Sequence, residues 1–423
     1  MKSFQALLIV LIVQAAGCSA LNLPTAAPQP VEETTPTPAT TPTQGATTTP
    51  GPLTLRLWLP PEFDPRSGTL GGNLLQARLD SFVNRRPAVH IEVRLKALDG
   101  PGGLLDALTS ASAAAPLALP DLVAVPRPVL EAAALKGLLH PFDILIQETD
   151  GDWYEYAQQM ARLQTSAYGL PFAGDSLALV YRTEAEIMPP HDMQETLELT
   201  GPVIFPAADP QALFTLTLYL AAGGAIQDEQ GRPLLESEPL VRVLAFYQEA
   251  AMREVLPFWL TQYQTSQQSW DAFKAGNANL VVSWSSAYLK EQATGLALAP
   301  IPTPDGKPFT LATGWAWALA NPNPERQAVS AELAQFLTDS RFLARWTAAL
   351  GYLPTRPSSL SAWLAASPRA IDEQILLSAH LYPSTDVMAI LAPPLAMATV
   401  NVLKQEQDAQ TAAQEAIDSL LPP

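Results

Sequence analysis

Apolar and polar positions change period along the chain, and the changes mark its elements. LTLRLWL, Leu53 to Leu59, alternates with period two and predicts a strand. Leu75, Leu79 and Phe82 then recur at i, i+4 and i+7, as on one face of a helix, before a second strand pattern, AVHIEVRL from Ala88 to Leu95. This is a β-α-β unit. The order repeats: a short helix, Gly103 to Ala111, leads to a buried-type strand, Leu119 to Val125, and then to the helix RPVLEAAALKG. An α/β architecture with parallel strands follows, with ligands expected at the carboxyl ends of the strands.

Further along, Tyr168 to Arg182 reads as a loop and then a strand. Helical patterns run from Asp209 to Gly223, Pro239 to Glu254 and Ser266 to Gly276. Strand patterns return at Asn279 to Trp284, Leu296 to Pro302 and Gly314 to Ala320, and from Pro324 the chain is mostly helical. Such an order predicts lobes that the chain enters more than once.

The first fifty residues follow neither period. Lys2 precedes ALLIVLIV, Ala6 to Val13, which is too short for a stable membrane-crossing helix and suits the apolar region of a secretory signal. Ala15-Ala16-Gly17-Cys18 resembles the lipobox of bacterial lipoproteins, with Ala15 where the family prefers Leu; the resemblance implies cleavage before Cys18 and lipid on its thiol. The competing reading is an ordinary signal peptide with an incidental cysteine. Residues 19–52 are rich in Thr and Pro and nearly devoid of large apolar side chains, so they predict an extended spacer.

Composition narrows the function classes. With 423 residues, 48% hydrophobic and 15% charged, the bulk of the chain has material for more than one core. A net charge of −17 disfavours nucleic acid as a partner. A single cysteine permits no internal disulfide and no Cys/His metal set. No P-loop or dinucleotide fingerprint is present, so no cofactor is implied. Gly174-Asp175-Ser176-Leu177-Ala178 approaches the nucleophile elbow of hydrolases, but its serine precedes a strand instead of following one. The four histidines are scattered, so a catalytic triad has no support.

The ordered motifs of the folded part resemble the extracellular solute-binding proteins of bacterial ABC importers, of the maltose and oligosaccharide type. These motifs are Trp58 in the first strand, LPDLVAV, the segment Leu170 to Ser176 followed by LALVYR, LVVSWSS, PIPTPDG before GWAWALA, ELAQFLTD, and GYLPTRPS. The resemblance implies a two-lobed, periplasmic-binding-protein-like (type II) α/β fold, each lobe a sheet flanked by helices and joined by hinge crossings. The implied division is signal peptide 1–17, lipidated Cys18 and linker 18–52, lobe one at 53–172 and 297–350, and lobe two at 173–296 and 351–423. It also implies a monomeric receptor that closes on a mono- or oligosaccharide and hands it to the membrane subunits of an ABC permease, held at the outer membrane face by its N-terminal lipid. By family position, Trp58, Asp175, Ser176, Trp284, Trp315 and Tyr352 fall at segments facing the cleft.

Sugar recognition asks for flat aromatic faces and paired polar groups, and the chain has nine tryptophans. Each of these large rings also fits a core position, and Asp175 equally fits a turn cap. Two other functional classes keep the same fold: a surface sensory module without transport, and a glycoside-acting enzyme, for which no carboxylate pair can be named.

Overall fold

The computed structural model describes residues 52–421 except 144, 146–150, 186–187, 292 and 364–368. The signal, Cys18 and the Thr/Pro-rich spacer lie outside the described residues.

Eleven strands occur among the described residues: β1 (Leu53–Leu59), β2 (Val89–Leu95), β3 (Leu122–Pro126), β4 (Arg162–Leu163), β5 (Ser166–Ala167), β6 (Gly169–Arg182), β7 (Val203–Ile204), β8 (Leu280–Trp284), β9 (Leu296–Ala299), β10 (Thr310–Leu319) and β11 (Ala379–Leu381). Nine form one mixed sheet in the order β2-β1-β3-β10-β6-β8-β7, with β11 added to β10 and β9 to β6. The first unit forms as the pattern predicts. β1 runs parallel to β2 and β3, and Leu75, Leu79 and Phe82 are buried on the helix Leu70–Arg85. Two-residue alternation sends Leu55, Leu57 and Leu59 to one face of this sheet and Trp58 to the other, where Leu104, Leu108, Val123 and Leu130 cover it.

The sheet serves two cores through two shared strands. From Gly169 to Ser176, β6 pairs antiparallel with β10; from Leu177 to Arg182 it pairs with β8 and β9. β10 likewise pairs with β11 over Thr310 to Ala312 and with β3 over Trp315 to Leu319. Lobe one packs on both faces of the β2-β1-β3-β10 region. Lobe two packs around β7, β8, β9 and the second half of β6, covered by helices that include Leu213–Ala221, Ser237–Met252 and Thr385–Leu403. The last of these is long and apolar enough to cross a membrane, but half of its apolar window is buried in that core.

Two expectations differ from the packing. Tyr168 to Ser176 reads as a loop because it carries Gly, Pro and Asp, yet from Gly169 it is strand, with a register irregularity opposite Trp315 and Ala316 that takes up the Pro171 region. The return to lobe one, expected at residue 297, falls inside β10, since Leu298, Ala299, Ile301, Leu311 and Ala312 pack in the core of lobe two.

Candidate functional site

Among the described residues three backbone crossings join the lobes, and each carries a glycine. Gly174 of β6 and Gly314 of β10 are register partners. A Cβ on Gly174 would stand 1.9 Å from the Tyr156 hydroxyl, and one on Gly314 would stand 2.2 Å from the Ala173 carbonyl. The third crossing follows the helix Ser340–Leu350, where Gly351 has φ +70° and a Cβ would meet the Lys290 backbone nitrogen at 2.7 Å. Leu353 then closes onto β6, its N–H donating to the Gly174 carbonyl at 2.9 Å and its carbonyl accepting the Gly174 N–H at 2.8 Å. Bare backbone lets β10 lie against β6 at Gly314, and makes room for the Tyr156 hydroxyl at Gly174 and for Lys290 at Gly351.

Next to the glycine pair, Asp175 is committed to the helix Ser285–Glu291. Its Oδ1 accepts from Ser285 Oγ at 2.8 Å and from the Ser286 N–H at 2.9 Å, and its Oδ2 accepts from Ser286 Oγ. Burial raises its pKa, against the opposing pull of these hydrogen bonds and of Lys290. Asp175 thus acts as a cap, and the element it caps comes from a segment more than a hundred residues away. Ser176 is fully buried; its N–H donates to Ser285 Oγ at 3.3 Å and its own hydroxyl has no partner.

At the other end of that helix a polar cluster spans the lobes. Glu62, in the turn after β1, accepts from Lys290 Nζ at 2.5 Å and from the Tyr352 hydroxyl at 2.7 Å. Lys290 Nζ also donates to that hydroxyl at 3.0 Å and lies 4.2 Å from the centre of the ring. Burial first, and Glu62 second, push the pKa of the Tyr352 phenol far up, so it remains a neutral donor. Phe63 beside Glu62 belongs to the core of lobe one, whereas Ala287, Tyr288 and Leu289 beside Lys290 pack on the core of lobe two.

The structure gathers five of the six residues expected from family position around these crossings. Trp315 meets Phe63 edge to face with centroids 4.8 Å apart and is 8% exposed; Trp284 ends β8 half-buried. Trp58 stands apart from them, 3% exposed in the core on the opposite face of β1, with Lys96 Nζ 4.6 Å from its ring centre.

A cavity of about 600 Å³ adjoins this cluster between the helices Leu70–Arg85 and Ser340–Leu350 on one side and Ser285–Glu291 on the other. Tyr288, Tyr352, Trp363 and Asp372 line it. Burial pushes the Asp372 carboxyl up to about 6. Apart from Tyr352, these residues were missed by sequence reasoning, as was Glu62. For Asp372 a signal existed: it shares the i, i+3, i+4 face with buried Ile375 and Leu376, an unusual place for an acid. For Glu62 there was none, because Lys290 is 228 residues away. Among the described residues no group of three or more His, Cys, Asp or Glu side chains is gathered for a metal ion.

Residues 87–370 match the family of bacterial extracellular solute-binding proteins. Solved structures of similar fold include a cyclo/maltodextrin-binding protein complexed with maltotetraose (24% identity, TM-score 0.71, covering 88% of this chain and 97% of that one). Another is the cyclic α-maltosyl-1,6-maltose binding protein of Arthrobacter globiformis, at 16% identity and TM-score 0.72 over 88% of this chain and 98% of that one. A third is the sugar-binding protein MalE of Xanthomonas citri, at 18% identity and TM-score 0.71 over 87% and 97%.

Proposed function

Since the chain belongs to the bacterial extracellular solute-binding proteins, we propose that it captures a carbohydrate between its lobes and delivers it to the membrane subunits of an ABC permease. The observation that carries this reading is the aromatic- and carboxyl-lined cavity of about 600 Å³ beside the three crossings, a size that suits a small saccharide. Structures of similar fold hold maltotetraose and maltotriose, which supports sugars as the ligand class to try first. Closure follows from physics. A solute touching both lobes favours the arrangement in which both sets of contacts exist together, and backbone at the crossings absorbs the rotation. Receptors of this kind do no chemistry on the solute.

Attachment at the membrane completes the proposal: Cys18 carries the lipid, and the Thr/Pro-rich spacer holds the lobes off the surface. Calorimetry and thermal-shift measurements on the full chain across mono- and oligosaccharides should find at least one saturable ligand that raises the melting temperature. A panel with no stabilising sugar sinks the carbohydrate reading. For the anchor, intact-mass analysis should show a diacylglycerol-sized addition that Cys18→Ser removes; a Cys18→Ser variant still carrying lipid contradicts it.

A further inference from the structure

β2 is the outermost strand of the main sheet and pairs on one side only, with β1. The Leu53 N–H donates to the Ala88 carbonyl at 2.7 Å and the Lys96 N–H to the Leu59 carbonyl at 2.8 Å, so the even-numbered residues from 88 to 96 turn their backbone towards β1. Val89, Ile91, Val93 and Leu95 turn theirs the other way, to an edge that no strand covers among the described residues. Side chains divide in the same rhythm. Ile91 and Val93 reach the core of lobe one, Leu95 is 37% exposed, and a cavity of about 580 Å³ lies against this face beside Leu79 and Val83. On the opposite face Glu92 accepts from Arg94 Nε at 2.8 Å and stands 4.0 Å from Arg56 Nε.

We propose that this edge binds the same edge of a second copy of the chain, antiparallel, about a two-fold axis at Val93. Charge and backbone chemistry select that register. An axis at Glu92 sets Glu92 against itself, one at Arg94 sets Arg94 against itself, and one at Leu95 sets Arg94 against Lys96. An axis at Ile91 brings Leu95 to Pro87, which has no N–H to donate. At Val93 each Glu92 faces an Arg94 of the second copy, twice by symmetry, at the non-hydrogen-bonded positions where Cα atoms approach to about 4.5 Å. Val93 then exchanges both backbone hydrogen bonds with its counterpart, and Ile91 does so with Leu95 of the second copy. An edge guarded by charges of one sign would repel its own copy; here the signs alternate and complement themselves. β2 lies farthest from lobe two in the sheet order and lines no part of the cavity at the crossings, so pairing leaves closure free in each copy. A dimer departs from the monomeric receptor that the resemblance implies, and it does not depend on which solute is bound.

Sedimentation equilibrium of the full chain in a neutrally buoyant detergent tests this, for the wild type, V93P, R94E, E92R and E92R/R94E. The wild type should form dimers that dissociate on dilution, and slow hydrogen exchange at the Ile91, Val93 and Leu95 amides should appear only at dimer-forming concentrations. V93P removes the central donor from the outward side of the strand, where β1 is not engaged, and should leave monomers. R94E and E92R should each weaken dimerisation by about tenfold or more, since two facing pairs turn from opposite to like charge; E92R/R94E should return it to within about threefold of the wild type. A merely structural role for the pair would not give that recovery, and should V93P misfold, the charge swap carries the same question. A wild type that is monomeric at every concentration overturns the inference. So do dimers that persist undiminished in R94E, and a double variant that folds but associates as weakly as R94E. Amides at this edge that exchange slowly even in dilute monomers belong to an edge covered by another part of the chain, and overturn it as well.

Discussion

The molecule holds two aromatic assemblies at its crossings that look alike in sequence and differ in what covers them. In lobe one, Trp346 stacks on Phe172 at 5.1 Å, on Phe342 at 5.3 Å and on Trp317 at 6.1 Å, and its indole N–H donates to the Gly71 carbonyl at 3.2 Å. Trp346 and Trp317 are fully buried there. Across the third crossing, Tyr288 and Trp363 are only partly buried and line empty space. Close packing gives the first assembly a structural role, because its rings stack on one another and Trp317 and Trp346 have no exposed surface. The second assembly borders open space and has ring faces still to cover, which is the condition for binding; an unmet indole N–H does not separate the two, since Trp317 Nε1 and Trp363 Nε1 both lack a partner. Tryptophan richness alone does not separate these cases.

The sharpest way to break the comparison is to truncate one ring from each side. Trp346→Ala should cost about 3–5 kcal/mol of unfolding free energy, the range for deleting a fully buried large aromatic side chain. Trp363→Ala should cost less than about 2 kcal/mol, since its surroundings are already open. Sugar affinity should reverse the order: preserved in Trp346→Ala under conditions where it remains folded, and lost in Trp363→Ala. Urea unfolding and calorimetry on both proteins check this. Equal stability losses would erase the distinction.

A smaller effect follows from the carboxyl in the open assembly. Asp372 rises from its ordinary value of 3.8 to about 6 through burial, so between these values the folded chain binds more protons at this site than the unfolded chain. Stability contributed here must fall as pH rises through that window, by a total of about 2–3 kcal/mol, and stay at the lower level above it. Asp175 and Asp209 are shifted in the same direction, so the contribution of Asp372 is the difference between wild type and D372N. Urea midpoints from about pH 4 to 7.5 should show a steeper decline in the wild type than in D372N. Parallel curves would mean the carboxyl is already well solvated.

Elements with local signals were legible in the sequence. LTLRLWL and the Leu75, Leu79, Phe82 face carry their periods within a few residues, and they fold as that pattern predicts. Gly169 to Ser176 was not legible, because its Pro, Gly and Asp favour turns locally while β10, from a distant part of the chain, supplies a strand partner. Asp175 shows the same limit. Its type suits a cap or a sugar, and the choice is made by two serines 110 and 111 residues further on. Trp58 was readable as an aromatic in a strand, but its burial depends on the helix Leu104–Ala114 that lies over that face. Pairings across the lobes leave no trace in either segment alone, and so Glu62 and Lys290 were invisible.

That pair carries the smallest prediction and the one tied most directly to lobe movement. Glu62 and Lys290 join lobe one to lobe two, but their side chains are 33% and 43% exposed, so water screens the attraction and its net worth is about 0–1 kcal/mol. Glu62→Gln should therefore barely move the melting temperature. It should still shift the ligand-free balance between the closed and open arrangements, because the contact bridges the lobes, and up to about 1 kcal/mol changes the closed-to-open ratio by as much as about fivefold. Single-molecule energy transfer between dyes on the two lobes should show more open molecules in Glu62→Gln. The wild type in about 1 M salt, where the screening length is about 3 Å, should move the same way, and the variant should respond less. If the variant and wild type hold the same populations at low salt, the lobes are held by their apolar surfaces, and the Glu62, Lys290 and Tyr352 cluster serves only to satisfy its own polar atoms.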